Sequence, residues 1–341
     1  MKKYNVAVIG VGAVGIEMLR VLRQRNFPVN QLRVFARTGR DIEVDGQKYS
    51  VEAISPESFN GIDIALFAGT EGEKGAAVTF AREAIKRGAV VIDNGADFRM
   101  DPKVPLVVPE VNAADVKKHR GIIANPNCST IQMVVALSPI HKKFGIKRIV
   151  VTTLQASSGS GRAAVEQLKQ ENMRIASGGY GNLQVNLEHK AMPQQLAYNV
   201  FPHIGGFADY DYTSEEWKLV KETHKIMHDK KINISATTVR VPIRTGHSEA
   251  VYIETRKPST PEKIRSILAK SPGIIVIDKV AENLYPMPKD CEGKDEVFVG
   301  RIRQDPFLKN GLWLWVVADN LRKGAATNAV QIAECVISGL R

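Results

Sequence analysis

Through the first third of the chain, short and almost wholly apolar runs alternate with runs whose apolar residues recur at helical spacing. "YNVAVIG" (4–10), "LRVFAR" (32–37), "IDIALFAG" (62–69) and "AVVIDNG" (89–95) read as strands. "GIEMLRVLRQRN" (15–26) and "EKGAAVTFAREAIKRG" (73–88) read as helices. Apolar strands set between amphipathic helices predict a parallel sheet covered on both faces, the doubly wound pattern. One more helix, "STIQMVVALSPIHKKFG" (129–145), precedes a change of pattern. Six strands follow: "KRIVVTTLQ" (147–155), "NISATTVRVPIR" (233–244), "EAVYIETR" (249–256), "GIIVIDKV" (273–280), "VFVGRIRQ" (297–304) and "LWLWVVAD" (312–319). Several alternate apolar and polar positions, as in a sheet with one covered face, and few helices intervene. A second, α+β domain with a mixed, largely antiparallel sheet is expected. The stretch 178–212 lacks either period and is expected to be a long surface excursion. The tail "GAATNAVQIAECVISGL" (324–340) is helical again and is expected to pack back onto the first domain.

Composition narrows the class without naming a function. Over 341 residues, 44% hydrophobic and 24% charged is globular composition with room for two domains. No apolar stretch approaches the ~20 residues needed to span a bilayer, and none forms a signal segment. Three scattered cysteines, Cys128, Cys291 and Cys335, form neither a pairing pattern nor a metal site, which suits a reduced, cytoplasmic protein. The net charge of +11 is spread along the chain, with no basic block or interleaved aromatics. Anionic small substrates account for it better than nucleic acid does.

"VAVIGVGAVGIEML" runs a strand into G-x-G-x-x-G and then a helix. Gly10, Gly12 and Gly15 would allow the tight turn, the close approach of a pyrophosphate and close helix–strand packing. Together with Ala13 and Val14 they form the candidate phosphate cradle at a helix N-terminus. The first domain is therefore expected to be a Rossmann-type dinucleotide-binding domain over 1–127, with helix 321–341 added to it, and 128–320 the second domain. After the second strand, an NAD site usually offers an acid to the ribose. This chain offers Arg37, Thr38 and Arg40 instead, which favours the 2′-phosphate of NADP, although an acid, Asp41, stands one step further.

"NPNCST" (125–130) sets Cys128 at a predicted helix start. Free cysteine is more often a buried packing residue, so other residues must argue for reactivity. A nucleotide domain beside such a cysteine suggests thiolate addition to an aldehyde, hydride transfer and a thioester. That role needs a thiol pKa below the free value of about 8.5, and a helix N-terminus acts in that direction. "RVPIRTGHSEA" offers His247 in a glycine-punctuated turn, with Arg240 seven residues earlier; spacing alone does not select that histidine.

"NPNCST", "LQASSGSGRAAVEQL", "YTSEEWKLVKETHKIM", "VRVPIRTGHSEAVYIET" and "VVADNLRKGAATNAVQIAE" together make the chain resemble the bacterial aspartate-semialdehyde dehydrogenases, over nearly its whole length. The resemblance implies reversible NADPH-dependent reduction of aspartyl phosphate to aspartate semialdehyde with release of phosphate, on the route to lysine, threonine and methionine. It implies Cys128 as the acyl-accepting nucleophile, His247 as acid/base and Gln155 as substrate-orienting residue. Arg240 would grip the substrate carboxylate, which suits a planar guanidinium. Glu215 would meet the amino group, Lys218 and Arg99 the phosphate, with Asn127 beside it. Ser158, Gly159 and Asn320 would touch the cofactor near the nicotinamide, and no metal is implied. The chain departs from the family in its shortened glycine turn, where G-x-x-G-x-x-G is common. It also reads "NGADFR" (94–99) where "NSS" is usual, which is similar to N-acetyl-glutamyl-phosphate reductase. That enzyme, and a non-catalytic nucleotide-sensing or nucleic-acid-binding Rossmann protein, are the alternatives.

The second sheet must bury one face, and the helices near it are few. "RAAVEQLKQENMRIA" and "SEEWKLVKETHKIMHDK" are heavily charged, so each covers only a stripe, and "PEKIRSILAK" is short. A second copy of the same sheet would complete the burial, so a homodimer is expected, as the resemblance also implies.

Overall fold

The computed structural model describes residues 2–68, 75–178, 183–187 and 190–339. The chain divides into two compact units, one of Met1–Asn127 with Gly324–Arg341 and one of Cys128–Lys323.

The first unit holds β1 (Tyr4–Ile9), α1 (Ala13–Gln24), β2 (Val29–Ala36), β3 (Arg40–Val44), β4 (Gln47–Ala53), β5 (Ile64–Phe67), α2 (Ala76–Lys86), β6 (Val90–Asp93), α3 (Pro109–Asn112) and β7 (Ile122–Ala124). The sheet order is β3-β4-β2-β1-β5-β6-β7. Every pairing is parallel except that of β3, which runs antiparallel on the edge of β4. The strand period of two sends alternate residues to opposite faces. Val6, Val8, Ile64 and Leu66 pack with Met18 and Leu22 of α1 and with Ala329, Val330 and Ala333 of the C-terminal helix (Thr327–Ser338). Ala7, Ile9, Ala65 and Phe67 pack with Ala81 and Ala84 of α2. Both faces are thus covered, which is why these strands read as apolar throughout.

The β3–β4 hairpin and β7 are additions to the sequence reading. Asp45 and Gly46 take left-handed φ values of 50° and 79° at the hairpin's tip, the Asp-Gly signal for a two-residue turn. The N-terminal end of the expected helix, Glu73 and Lys74, lies outside the described residues, as do 179–182 and 188–189 of the excursion, Gly69 and the last two residues.

The second unit holds α4 (Cys128–Phe144), β8 (Ile146–Gln155), α5 (Arg162–Gly178), α6 (Ser214–Met227), β9 (Asn233–Arg240), β10 (His247–Thr255), α7 (Pro261–Leu268), β11 (Ile274–Val276), α8 (Pro288–Cys291), β12 (Val297–Gln304) and β13 (Gly311–Ala318). Its order is β11-β12-β13-β10-β8-β9. The outer pairs β11/β12 and β8/β9 are parallel and the three inner pairings antiparallel. Helices α4, α6 and α7 pack on one face of this sheet. On the other, Tyr252, Trp313 and Trp315 stay partly exposed, and the rings of Tyr252 and Trp313 lie 5.2 Å apart.

Three elements are shorter than their sequence patterns suggest. The expected strand 233–244 stops at Arg240, just short of Pro242, which has no N–H for a ladder. The run 273–280 keeps only Ile274–Val276. The C-terminal α-helix begins at Thr327, after a π-helical turn over Arg322–Ala326. Described parts of the excursion form a small core of their own, where Leu196, Ala197 and Phe201 pack on Leu168 and Ile175 of α5.

Candidate active site

In the first unit, β1 leads straight into the glycine turn. Gly10 has φ 99°, a left-handed conformation open to glycine. A Cβ on Gly15 would run into the Gly10 carbonyl oxygen, so this position sets how closely α1 lies on β1. Gly12 differs from both. It has an ordinary φ of −71°, and a Cβ there would meet nothing within 4 Å. Nothing in the fold itself requires that glycine, whereas a pyrophosphate approaching the N-terminus of α1 would. No side chain caps α1 at Gly12, so the first N–H groups of Ala13, Val14 and Gly15 can face an anion. Arg37 and Thr38 follow β2, Arg40 opens β3, and all three are exposed. The cradle therefore fits a dinucleotide.

Arg99, in the same unit, is buried and held by two backbone carbonyls. Its Nε donates to Asn125 O at 2.9 Å and an Nη to Asn94 O at 2.9 Å. Sequence reasoning missed the network behind it. Asn125 Nδ2 donates to Asn94 Oδ1 at 2.7 Å, and Asn328 Nδ2 to Asn125 Oδ1 at 2.7 Å. Asn127 is buried at the unit's edge. The clustering of asparagines in "NPN" and "TNA" was the available signal.

The second unit brings its candidates together through strand register. Ser248 on β10 pairs with Leu154 on β8, and Gln155 on β8 pairs with Arg240 on β9. His247, Gln155 and Arg240 therefore fall in line across three strands, all on the helix-covered face and all buried. Ala156 N–H donates to His247 Nδ1 at 3.1 Å. With Nδ1 accepting, the neutral ring carries its proton on Nε2. Burial, then the nearby Arg240 charge, push the His247 pKa down to about 3, so the ring is neutral at pH 7. Arg240 donates from Nη1 to Ala156 O at 2.5 Å and from Nη2 to Ser160 Oγ at 2.7 Å. Its Nε–H has no partner among the described residues. Burial lowers the Arg240 pKa, while the nearness of Cys128 and then of Glu215 opposes that shift. Both groups lie close enough to the guanidinium to interact with its charge.

Gln155 is fixed at both ends. Thr153 Oγ1 donates to its Oε1 at 3.0 Å, and its Nε2 donates to Glu215 Oε1 at 3.3 Å. Glu215 lies in the first turn of α6, with Lys218 Nζ 3.3 Å from its other oxygen. The adjacent Glu216 is spent on structure: it closes a capping box with Thr213 and accepts the Thr238 N–H. Asn320 Oδ1 accepts from Ser158 Oγ at 3.0 Å and from Gly246 N–H at 2.9 Å, tying the "SSGS" turn to the turn before His247. A Cβ on Gly159 would lie 3.1 Å from His247 Nε2 and 3.3 Å from Arg240 Nη1. Cys128 is the first residue of α4 and half-buried. Cys291, by contrast, is packed against Phe298 and Val317, and burial pushes its thiol up to about 12. Sequence reasoning missed the buried Glu249, two residues beyond His247; a charged residue inside an otherwise core-facing strand period was its signal.

Comparison with known proteins bears on both units. Residues 5–119 match the family model for the semialdehyde dehydrogenase NAD binding domain, and 137–323 match that for the semialdehyde dehydrogenase dimerisation domain. The chain is 53% identical over 342 residues to the aspartate-semialdehyde dehydrogenase of Aquifex aeolicus, covering 98% of each chain. It is 48% identical to that of Bacillus subtilis, covering 97% of this chain and 96% of the relative. The crystal structure of aspartate semialdehyde dehydrogenase II from Vibrio cholerae, complexed with ASA, superposes with a TM-score of 0.92 at 43% identity, over 99% of each chain. On these grounds the chain belongs to the aspartate-semialdehyde dehydrogenase family, oxidoreductases that act on an aldehyde.

Proposed function

We propose that this chain catalyses the reversible, NADP-dependent reductive dephosphorylation of L-aspartyl 4-phosphate to L-aspartate 4-semialdehyde through a thioester on Cys128, in lysine, threonine and methionine biosynthesis. The observation that carries the reading is the buried row His247–Gln155–Arg240, with the Arg240 charge facing both Cys128 and Glu215.

A positive charge beside the sulfur favours its thiolate form. The thiolate's electron pair forms a bond to the acyl carbon, and the C=O pair moves to oxygen. Collapse of that oxyanion breaks the C–O bond to phosphate, which leaves with the electrons, and a thioester remains. His247 Nε2–H donates to the acyl oxygen as its charge develops, an electrostatic role that a neutral ring can fill. Nicotinamide, when bound, supplies the hydride in this direction and accepts it in the other. Negative charge then returns to the same oxygen, and its collapse breaks the C–S bond to free aldehyde and thiolate. The Nε–H of Arg240, which has no partner among the described residues, suits the substrate carboxylate. Glu215, pinned by Gln155, suits the amino group, and Lys218 and Arg99 suit the phosphate. Exposed Arg37, Thr38 and Arg40, with no acid at the end of β2, suit a 2′-phosphate.

The test is absorbance at the NADPH band with aspartate semialdehyde and inorganic phosphate, run beside N-acetyl-glutamate semialdehyde. A phosphate-dependent signal with the aspartate compound is expected, and its loss in Cys128→Ser. Equal turnover of the acetylated compound, or an active Cys128→Ser protein, would refute the reading.

The assembly proposed is a homodimer through the face of the second sheet opposite α4, α6 and α7, which α8 covers only in part and where Tyr252, Trp313 and Trp315 lie partly exposed. Partly exposed aromatic residues on a sheet face suit a large two-fold interface. Sedimentation equilibrium giving only the 37.5 kDa monomer at full activity would exclude it. Free cysteines and a reactive thiol suit a reducing, cytoplasmic setting.

A further inference from the structure

Behind the row of His247, Gln155 and Arg240 runs a second polar row. Glu249 on β10 pairs with Thr153 on β8, and Thr153 pairs with Thr238 on β9. All three are 0% exposed. One step deeper the row Val251, Val151 and Ala236 is apolar, as a sheet core should be. Polar groups at that depth destabilise a fold unless they are satisfied. Thr153 and Thr238 are: the first donates to Gln155, and the second lies 3.4 Å from Thr213 Oγ1 while its N–H donates to Glu216. Glu249 differs. Among the described residues, neither of its carboxyl oxygens has a well-formed hydrogen bond.

The group beside the carboxyl is the side-chain amide of Gln132 on α4. Gln132 lies one helical turn past Cys128, at i+4 and so on the same face of the helix. Its Nε2 points at the His247 carbonyl oxygen from 3.5 Å, and its Oε1 meets no donor among the described residues. As a carboxylate, Glu249 would be a fully buried charge with only the neutral Gln132 amide N–H to offset it. As a carboxylic acid it adds an O–H donor that can meet Gln132 Oε1. Burial drives its carboxyl well above the usual range, in the same direction.

We propose that Glu249, kept as a neutral carboxylic acid against the Gln132 amide, is a positioning residue that ties the helix bearing Cys128 to the strand bearing His247. It thereby sets the distance between nucleophile and ring. This rests on the reading that Cys128 and His247 carry the chemistry. Glu249 lies one register step behind His247, between it and the apolar row Val251, Val151 and Ala236, so its effect runs through those two residues. A carboxylic acid of merely structural value would be replaceable by any side chain of its size.

The experiment compares Glu249→Gln, Glu249→Met and Gln132→Met in the full-length enzyme, with kcat, KM for the semialdehyde, and the iodoacetamide alkylation rate of Cys128 as readouts. Methionine keeps the volume and removes the hydrogen bond. Glu249→Met is expected to lower kcat by about 10- to 100-fold, with KM changed less than about three-fold, because misplacement of reacting groups acts on turnover. Its Cys128 alkylation rate should shift in step. Glu249→Gln, whose N–H replaces the acid's O–H, is expected to stay within about three-fold of the parent. Gln132→Met should match Glu249→Met, and the double variant should be no worse than either single one. If Glu249→Met fails to fold, Gln132→Met and Glu249→Gln still decide. Parental kcat in either methionine variant overturns the proposal, as does a loss in Glu249→Gln equal to that of the methionine variants. A parent enzyme without turnover, or an active Cys128→Ser, overturns instead the assignment on which the proposal rests.

Discussion

Gly159 faces the two most constrained side chains of the candidate site, and alanine there puts one methyl group against both. Its Cβ would lie 3.1 Å from His247 Cε1 and Nε2 and 3.3 Å from Arg240 Nη1. Comfortable carbon contacts begin at about 3.5 Å, so the neighbours must yield by about 0.4 Å. Neither can do so freely. The imidazole is held at Nδ1 by Ala156 N–H, and Arg240 by Ala156 O at 2.5 Å and Ser160 Oγ at 2.7 Å. Gly159 is not among the left-handed glycines, so backbone strain adds nothing and the effect is steric. Overpacking of this kind costs about 1–3 kcal/mol of stability. The methyl group also sits over Nε2, whose N–H must reach the acyl oxygen. With a ~1 Å misplacement costing on the order of 10²-fold, a kcat lower by roughly 10- to 100-fold is expected. Absorbance at the NADPH band gives kcat, and thermal unfolding gives the stability change. Gly206→Ala is the control, since a Cβ there meets nothing within 4 Å and its φ is not left-handed. A Gly159→Ala enzyme with kcat within two-fold of about the parental value and an unshifted unfolding midpoint would refute the steric argument.

Gly12→Ala should leave stability within about 1 kcal/mol of the parent, because the added methyl is free of protein contacts, yet raise the cofactor KM by about ten-fold or more; an unchanged cofactor KM would mean that no phosphate approaches there. Arg37→Ala should raise KM for NADPH by about ten-fold and leave that for NADH within about two-fold, and equal use of NADH by the parent enzyme would contradict the NADP reading. His247 has a folded pKa of about 3, below its unfolded value of about 6.5, so the unfolded chain binds the extra proton and stability falls as pH drops from about 6.5 towards 3. Between pH 7 and pH 5 the parent should lose about 2 kcal/mol more than His247→Asn in urea unfolding, and parallel pH slopes for the two proteins would count against the buried neutral ring.

Much of the fold was legible because its signals are local. The run from "VAVIG" to "GIEML" announces a strand, a tight turn and a helix within a dozen residues, and β1 and α1 lie on that pattern. The apolar strands of the first unit imply cover on both faces, and α1, α2 and the C-terminal helix provide it. The β3–β4 hairpin escaped because exposed edge strands such as Arg40–Val44 carry few apolar residues, although Asp45–Gly46 marked its turn. Strand β9 was read too long because its alternation runs on to Val241, and the missing N–H of Pro242 was outweighed.

By itself the sequence determined most of the element types and the two sheet classes, because propensity, periodicity and turn geometry act over a few neighbouring residues. Cys128 at a helix start could be picked out that way as a candidate, whereas His247 needed the family resemblance to single it out. Their surroundings depend on long-range pairing. Gln155 is 92 positions from His247 and 85 from Arg240 in the chain, and only the register of β8 against β10 and β9 puts the three in line. A one-residue slip in either pairing would turn those side chains to the other face. Burial was likewise a tertiary decision. Glu249 reads in the sequence as one more charge in a basic chain, and only the closing of α4 over β10 makes it a neutral group in the core. Desolvation is the physical reason, since it depends on what folds over a residue and not on what lies beside it in the chain.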